Sequence, residues 1–193
     1  MLKINNKNFY NILKSTFNNW YETKMRSNRE LSDETDHIEN VLKEIKNIAI
    51  VGISRNRHRD SYYVGRYLQN AGYRIFPVNP GADTLLGVKA YADLASITEK
   101  VDVVDVFVNQ KYVPKIVDQA IEIRPKAIWL QLGTGTHPDE VEKAKNAGVF
   151  LVQNRCMKVD HQFLIRDKGN GAPSCDINFN RKNEPSINQT ILT

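Results

Sequence analysis

The stretch IAIVGISRNRHRDSYYVGRYLQNAGYRIFPVNP, Ile48 to Pro80, decides the fold. An apolar run reaches Gly52, a polar loop follows, a helical pattern opens near Tyr62, and a second apolar run covers Arg74–Val78. Strand, loop, helix, strand is the entry to a parallel nucleotide-binding sheet. The loop departs from the dinucleotide fingerprint, with one glycine in place of three and with Arg55, Arg57 and Arg59. The second strand ends in Val78-Asn79-Pro80, where an NAD binder places an acid against the adenosine ribose.

The same pattern continues outward. Strands are expected at 48–53, 74–78, 103–108, 127–131 and 149–152, and helices near 62–71, 112–123 and 138–147. Short, nearly continuous apolar strands alternating with helices indicate an α/β fold, a mostly parallel sheet of about five or six strands covered on both faces. Crossovers should be right-handed. Between Pro80 and Val101 a loop-rich segment is expected, with one short element around Lys89–Ile97.

Two extensions flank this body. Residues 1–31 form an arm in which Phe9, Ile12, Leu13, Phe17, Trp20 and Tyr21 follow helical spacing. The arm suits a targeting segment, a partner-binding helix or a helix packed on the body. Ser32 before Asp33-Glu34-Thr35 reads as the N-cap of a separate helix with its acids in the first turn. Ile38, Val41, Leu42 and Ile45 are that helix's buried stripe. Residues 32–161 are therefore the folded domain, and residues 162–193, polar and rich in Asn, Gly and Pro, an extended or disordered tail.

Composition narrows the classes. The chain has 193 residues, 41% hydrophobic and 25% charged, which suits one compact domain with extensions. No apolar run approaches the ~20 residues of a membrane span, and no secretory h-region opens the chain. Cys156 and Cys175 lack metal-type spacing, so no metal is expected and a reducing compartment is the simpler assignment. That places the protein in the cytoplasm, or in mitochondria if residues 1–31 are a presequence. The formal charge is +5, and residues 1–29 alone hold six basic side chains against Glu22. The remainder is neutral on balance, which argues against a nucleic-acid-binding surface.

Ligands of open parallel sheets bind beyond the carboxyl ends of the strands, near the switch point. The residues there are Gly52, Ile53, Ser54, the loop Arg55 to Asp60, Ser61, then Val78, Asn79 and Pro80. Asn109 and Gln110, then Gln131, Gly133 and Gly135, then Asn154, Arg155 and Cys156 follow the later strands. The first loop suits a phosphate. Gly52 allows close backbone approach, a helix N-terminus attracts an anion, and Ser54, Ser61, Arg55 and Arg59 supply donors and charge. A solvated basic loop is the plainer alternative. Asn79-Pro80 offers a flat neutral wall, or simply a turn that ends the strand.

Six ordered blocks then carry a resemblance: IAIVGIS, SYYVGRYLQNAGYRIFPVNP, LLGVKAYADL, VDVVDVFVN, AIWLQLG and NRCMKVDH. Across residues 33–161 the chain resembles the small stand-alone CoA-binding proteins, themselves similar to the nucleotide-binding domain of the succinyl-CoA synthetase alpha subunit. The resemblance implies a Rossmann-like three-layer sandwich and coenzyme A as ligand. It implies that Gly52, Ile53, Ser54 and Ser61 hold phosphates and that Val78, Asn79 and Pro80 flank the adenosine. It also implies that Val108 and Asn109 line the middle of the groove, that Gln131 and Gly133 face the pantetheine arm, and that Cys156 sits at the ligand-bearing edge. Two departures stand out. The chain has no room after the sheet for the synthetase's phosphohistidine domain. Gly81-Ala82-Asp83 also replaces the lysine that follows that family's second-strand proline.

Three readings follow. The first is a non-catalytic module that binds CoA or acyl-CoA and serves in sensing, transport or regulation, since no base–orienter pair accompanies Cys156. The second is an enzyme, either a thiol-dependent acyl-CoA handler through Cys156 or an NADP-linked oxidoreductase. The third is a partner-binding protein with an unused groove, acting through its arm. A homodimer is compatible with all three.

Overall fold

The computed structural model describes residues 6–167, with side chains from residue 23 onward. Its centre is a five-stranded parallel sheet in the order β2-β1-β5-β6-β7. The strands are β1 (Asn47–Val51), β2 (Arg74–Val78), β5 (Val103–Val106), β6 (Ala127–Leu130) and β7 (Phe150–Gln153). Helices α1 (Asn6–Glu44), α2 (Asp60–Asn70), α3 (Val113–Glu122), α4 (Pro138–Asn146) and α5 (Met157–His161) cover it. A short hairpin, β3 (Thr84–Leu85) with β4 (Val88–Lys89), lies in the loop-rich segment, earlier than the element expected around Lys89–Ile97.

The alternation of side chains along each strand divides the core in two. Ile48, Ile50, Val103, Ala127, Trp129 and Val152 point to the side of α1, α2 and α5. Ala49, Val51, Val104, Val106, Ile128 and Leu130 point to the side of α3 and α4. This is the three-layer sandwich expected from the apolar runs. Among the strands, β1 lies between β2 and β5, so the chain reverses its direction of winding between β1 and β5. A crevice opens beyond the carboxyl ends of those two strands.

Helix α1 does not begin at Ser32. Its backbone runs from Asn6 to Glu44 without a break. The Thr35 hydroxyl donates to the Leu31 carbonyl at 2.8 Å, the back-bond of a threonine inside a helix. No Gly or Pro interrupts residues 6–44, so local Ser-Asp-Glu chemistry yields to a helix already propagating. Ile38, Val41, Leu42 and Ile45 are buried as expected. Asp102 then catches the chain as it turns into β1: its Oδ2 accepts from the N–H groups of Lys46 and Asn47 at 2.9 and 3.0 Å.

Residues 162–166, expected to open an extended tail, are ordered instead. Gln162–Arg166 form a π-helical turn continuing α5. Leu164 and Ile165 pack against the core there, giving these residues the apolar anchor that a polar reading of the tail missed. His161 holds the junction. Its Nδ1 lies 2.9 Å from the Tyr67 hydroxyl, and its ring meets Tyr67 and Tyr73 edge-on at 5.5 and 5.4 Å. The Tyr73 hydroxyl donates to the Leu42 carbonyl at 2.9 Å, tying α1 to the same cluster. The rest of the expected tail, residues 168–193, lies outside the described residues.

Among the described strand residues, one buried side chain is polar. Asp105, in the middle of β5, is fully buried between Ile50 and Trp129 in register. Its Oδ1 accepts from the Gln131 amide at 2.9 Å, and its Oδ2 has no hydrogen-bond partner. Burial pushes this carboxyl up to about 7, against the smaller opposing effect of the Gln131 hydrogen bond. Because the folded value exceeds the unfolded one, the associated stability is complete below about pH 4 and is lost as pH rises through about 7. His161 acts in the opposite sense, since burial lowers its pKa. Asp105→Asn is therefore expected to be more stable than wild type at pH 8, with the difference shrinking towards pH 4. A three-unit shift corresponds to about 4 kcal/mol. Urea unfolding of both proteins across pH 4–8 measures it; a difference that does not change with pH would contradict this account.

Candidate functional site

A groove of about 480 Å³ lies over the carboxyl ends of β1 and β2, against α3. Its floor is Gly52. This residue has φ of 82°, and a Cβ there would stand 2.5 Å from the Phe107 carbonyl oxygen. Any side chain would both strain the backbone and collide with the next strand. The Gly52 N–H donates to the Val78 carbonyl at 3.1 Å, so the floor is pinned to β2 as well.

Val78, Asn79 and Pro80 form one wall, and Val108 continues the floor towards β5. The expected neutral wall is present, but Asn79 is committed to holding it. Its Nδ2 donates to the Ile53 carbonyl at 2.7 Å and its Oδ1 accepts from the Gly81 N–H at 2.8 Å. Its own N–H donates to Tyr91 at 2.8 Å. Asn79 thus fastens the first loop to the end of β2 and starts the Pro80-Gly81 turn.

The first loop leaves the groove floor and stands in solvent. The Ser54 N–H donates to the Ser61 hydroxyl oxygen at 3.0 Å, which closes the loop onto the start of α2. The Ser54 hydroxyl accepts from the Asn56 N–H at 3.1 Å, and Asn56 Oδ1 accepts from the His58 N–H at 2.9 Å. These ties give the loop one shape and leave Arg55, Arg57 and Arg59 exposed. Among the described residues none of the three is paired with a carboxylate. Ile53 differs from its neighbours: its side chain is buried in the core, so only its backbone faces outward.

The later strand ends are less open than their positions suggest. Asn109 Oδ1 accepts from the Lys111 N–H at 3.2 Å and caps the 3₁₀ turn Gln110–Tyr112. Gln131 turns inward to Asp105 and is 2% exposed. Gly133 has φ of 85° with open space where a Cβ would be, so it shapes the turn after β6 without crowding it. Cys156 is half-buried at the start of α5. Burial pushes its thiol up, outweighing hydrogen bonds from the Val159 and Lys158 N–H groups. Arg155 does not activate it, because its guanidinium grips Asp160 through two bonds of 3.1 and 2.6 Å.

The opposite wall was not anticipated. Tyr112, Lys115, Ile116 and Gln119 of the α3 segment line the groove, with Ala92, Asp93 and Leu94 at one end. The four α3 positions have i, i+3, i+4, i+7 spacing, which puts them on one helical face of mixed polarity, beside the buried face of Val113, Val117 and Ala120. Lys115 is the one cation among the residues lining the groove. It enters from α3, whereas the resemblance placed the family's lysine after β2.

The site therefore combines a glycine floor, a neutral wall, a mixed wall bearing Tyr112, Ile116 and Lys115, and an arginine-rich loop at the edge. Such an arrangement suits an elongated ligand with apolar stretches and phosphates. Comparison with known proteins identifies the family. Residues 46–162 match the family described as CoA binding domain. The uncharacterized protein YneT of Bacillus subtilis (strain 168) is 35% identical over 124 residues, 64% of this chain and 91% of YneT. A hypothetical protein from Pyrococcus horikoshii OT3 superposes with a TM-score of 0.64 at 38% identity, covering 67% of this chain and 91% of that one. An ADP-forming acetate–CoA ligase of Methanocaldococcus jannaschii is 27% identical over 131 residues, 67% of this chain but 17% of the ligase. The match to the family spans more than half of the chain, the fold is that of its relatives, and the chain belongs to the CoA-binding domain family.

Proposed function

We propose that the groove binds coenzyme A or an acyl-CoA and that the protein works as a binding module, in sensing, transport or regulation. The observation that carries this reading is the pairing of Gly52 with the loop that follows it. Gly52 lines the groove and lets the end of β1 lie against the Phe107 backbone, where a Cβ would collide, and the next turns present exposed arginines and the Ser54 hydroxyl. CoA carries a pyrophosphate and a ribose 3′-phosphate, and both reward cationic partners. The neutral end of β2 suits a phosphorylated ribose, which an acid there would repel.

In this reading the Ser54 loop and Arg55 or Arg59 hold phosphate oxygens. Val78, Asn79 and Pro80 flank the adenosine, and Val108 supports the middle of the ligand. Lys115 adds a second cation from the facing wall, standing in for the lysine missing after Pro80. Ile53 and Gln131 act through backbone and packing. The ligand supplies a thiol or thioester at the far end of its pantetheine arm, and this chain's residues bind and orient it. The thiol-enzyme alternative is disfavoured by Cys156, whose buried thiol favours the protonated, unreactive form.

Four measurements test this. Calorimetric titration with CoA, 3′-dephospho-CoA, NAD and NADP should show CoA binding most tightly. Ser54→Ala with Arg59→Ala should weaken CoA by 10- to 100-fold, since a charge-assisted hydrogen bond contributes about 1.5–3 kcal/mol. Equal binding of NAD and CoA by the wild-type chain would contradict the reading. Lys115→Ala should weaken CoA by roughly two- to fivefold and make its salt dependence shallower, because one exposed phosphate contact is removed; an unchanged affinity would take Lys115 out of the site. Alkylation of Cys156 by iodoacetamide at pH 7 should run slower than that of a free thiol, and faster alkylation would restore the thiol-enzyme alternative.

A further inference from the structure

Asp105 lies just beneath the groove. It is fully buried in β5, with Ile50 of β1 and Trp129 of β6 beside it in register. Three residues further on, Val108 lines the groove. A chain covers at most about 3.6 Å per residue, so the two positions are within about 11 Å of each other. Between them, Phe107 carries the carbonyl oxygen against which Gly52 lies, and the arginine-rich loop leaves from Gly52. A charge on Asp105 therefore acts on any anion that the groove and its loop hold.

Nothing beside the carboxyl neutralises that charge. Asp105 Oδ1 accepts from the Gln131 amide at 2.9 Å, the Val106 N–H adds a backbone hydrogen bond, and Oδ2 has no partner. Strands β1 and β6 face it with Ile50 and Trp129. Helix α5 faces it with the Cys156 thiol, which an ionised Asp105 pushes further up. Burial, Gln131 and Val106 govern its protonation, and none of these is a charged side chain of α1, α2 or α5. Among the described residues no Lys, Arg or His forms an ion pair with it. On the groove side the charged residues are Lys115 and Asp93, and the loop adds Arg55, Arg57, His58, Arg59 and Asp60. The place for a proton is Oδ2, the atom without a partner. Burial holds the carboxyl up to about 7, so both charge states are populated near neutral pH.

We propose that Asp105 is the proton sensor of the groove: the site takes its anionic ligand most tightly with Asp105 protonated and holds it less tightly once the carboxyl ionises. This inference rests on the coenzyme A reading and adds a control to the same site. CoA brings phosphate charge to the strand ends. Repulsion between unit charges about 10 Å apart, at an effective permittivity near 20, corresponds to roughly tenfold in affinity. At low pH the carboxyl is neutral with and without ligand, and affinity is full. As pH rises through about 7 the free protein loses its proton first. Binding then draws a proton from solvent back onto Oδ2, and affinity falls. The fall levels off where the bound protein ionises too.

Calorimetric titration of the full chain with CoA from pH 6 to 8.5, in wild type and in Asp105→Asn, tests this. Dividing one affinity by the other cancels the titration of CoA's own phosphate and of His58, which both proteins share. The ratio of wild-type to variant affinity is expected to fall roughly five- to tenfold over this range. At pH 7.5, in buffers of different ionisation enthalpy, wild type should take up more protons on binding than the variant does. Trp129 supplies a readout that leaves Asp105 in place. The chain has two tryptophans, so Trp20→Phe leaves Trp129 alone, beside Asp105 in register. Its emission should titrate with a midpoint near pH 7, and saturating CoA should move that midpoint up by about one unit. A flat ratio, or a midpoint that CoA leaves in place while CoA still binds, overturns the sensor and spares the coenzyme A reading. No CoA binding by either protein at any pH overturns both.

Discussion

Everything at the ligand-bearing edge depends on the backbone of Gly52 lying against the backbone of Phe107. A Cβ at residue 52 would stand 2.5 Å from that carbonyl oxygen, and φ is already in the left-handed region. The same residue donates its N–H to Val78. One glycine therefore brings the ends of β2, β1 and β5 to a common level, at the point where the sheet changes its direction of winding. The groove exists because the chain can leave β1 flat at this point. The Ser54–Ser61 tie and the Asn79 bridge then fix where the loop goes and what it presents.

The second constraint is the close fit of helices to the sheet. Gly65 of α2 shows it: a Cβ there would lie 3.0 Å from side-chain atoms of Ile50 and Leu86. Tight contact sets α2 low on the sheet, and its N-terminus comes up beside the first loop. On the far flank, His161, Tyr67 and Tyr73 lock α5 to α2 and α1. The polar interior of the sheet is confined to Asp105 and Gln131, which satisfy each other through one bond and leave one carboxylate oxygen unpaired. That arrangement is tolerable because the carboxyl can hold a proton near neutral pH.

Much of this was legible in the residues. The apolar runs after Asn47, Tyr73, Asp102, Lys126 and Val149 located all five sheet strands to within a few residues. Gly52 and Val78-Asn79-Pro80 marked two sides of the groove. What escaped is instructive. Strand-end positions say which residues reach the edge, but not which way a side chain turns, so Gln131 and Ile53 looked available and are buried. Tyr112, Lys115, Ile116 and Gln119 share a helical face of mixed polarity, and only the packed structure shows that this face borders the groove. Ser32 carries a capping signal that local chemistry cannot distinguish from a serine inside a long helix; the Thr35 back-bond makes the difference visible.

The central claim is that the edge built on Gly52 is where coenzyme A binds. Amide chemical-shift mapping during titration with CoA tests it most directly, because it reports location as well as affinity. The account predicts saturable shifts concentrated at Gly52, Ser54, the residues around Arg59, Asn79, Val108 and Lys115, with α4 and the outer edge of β2 unmoved. Shifts absent from this set, or confined to another face of the sheet, would contradict it.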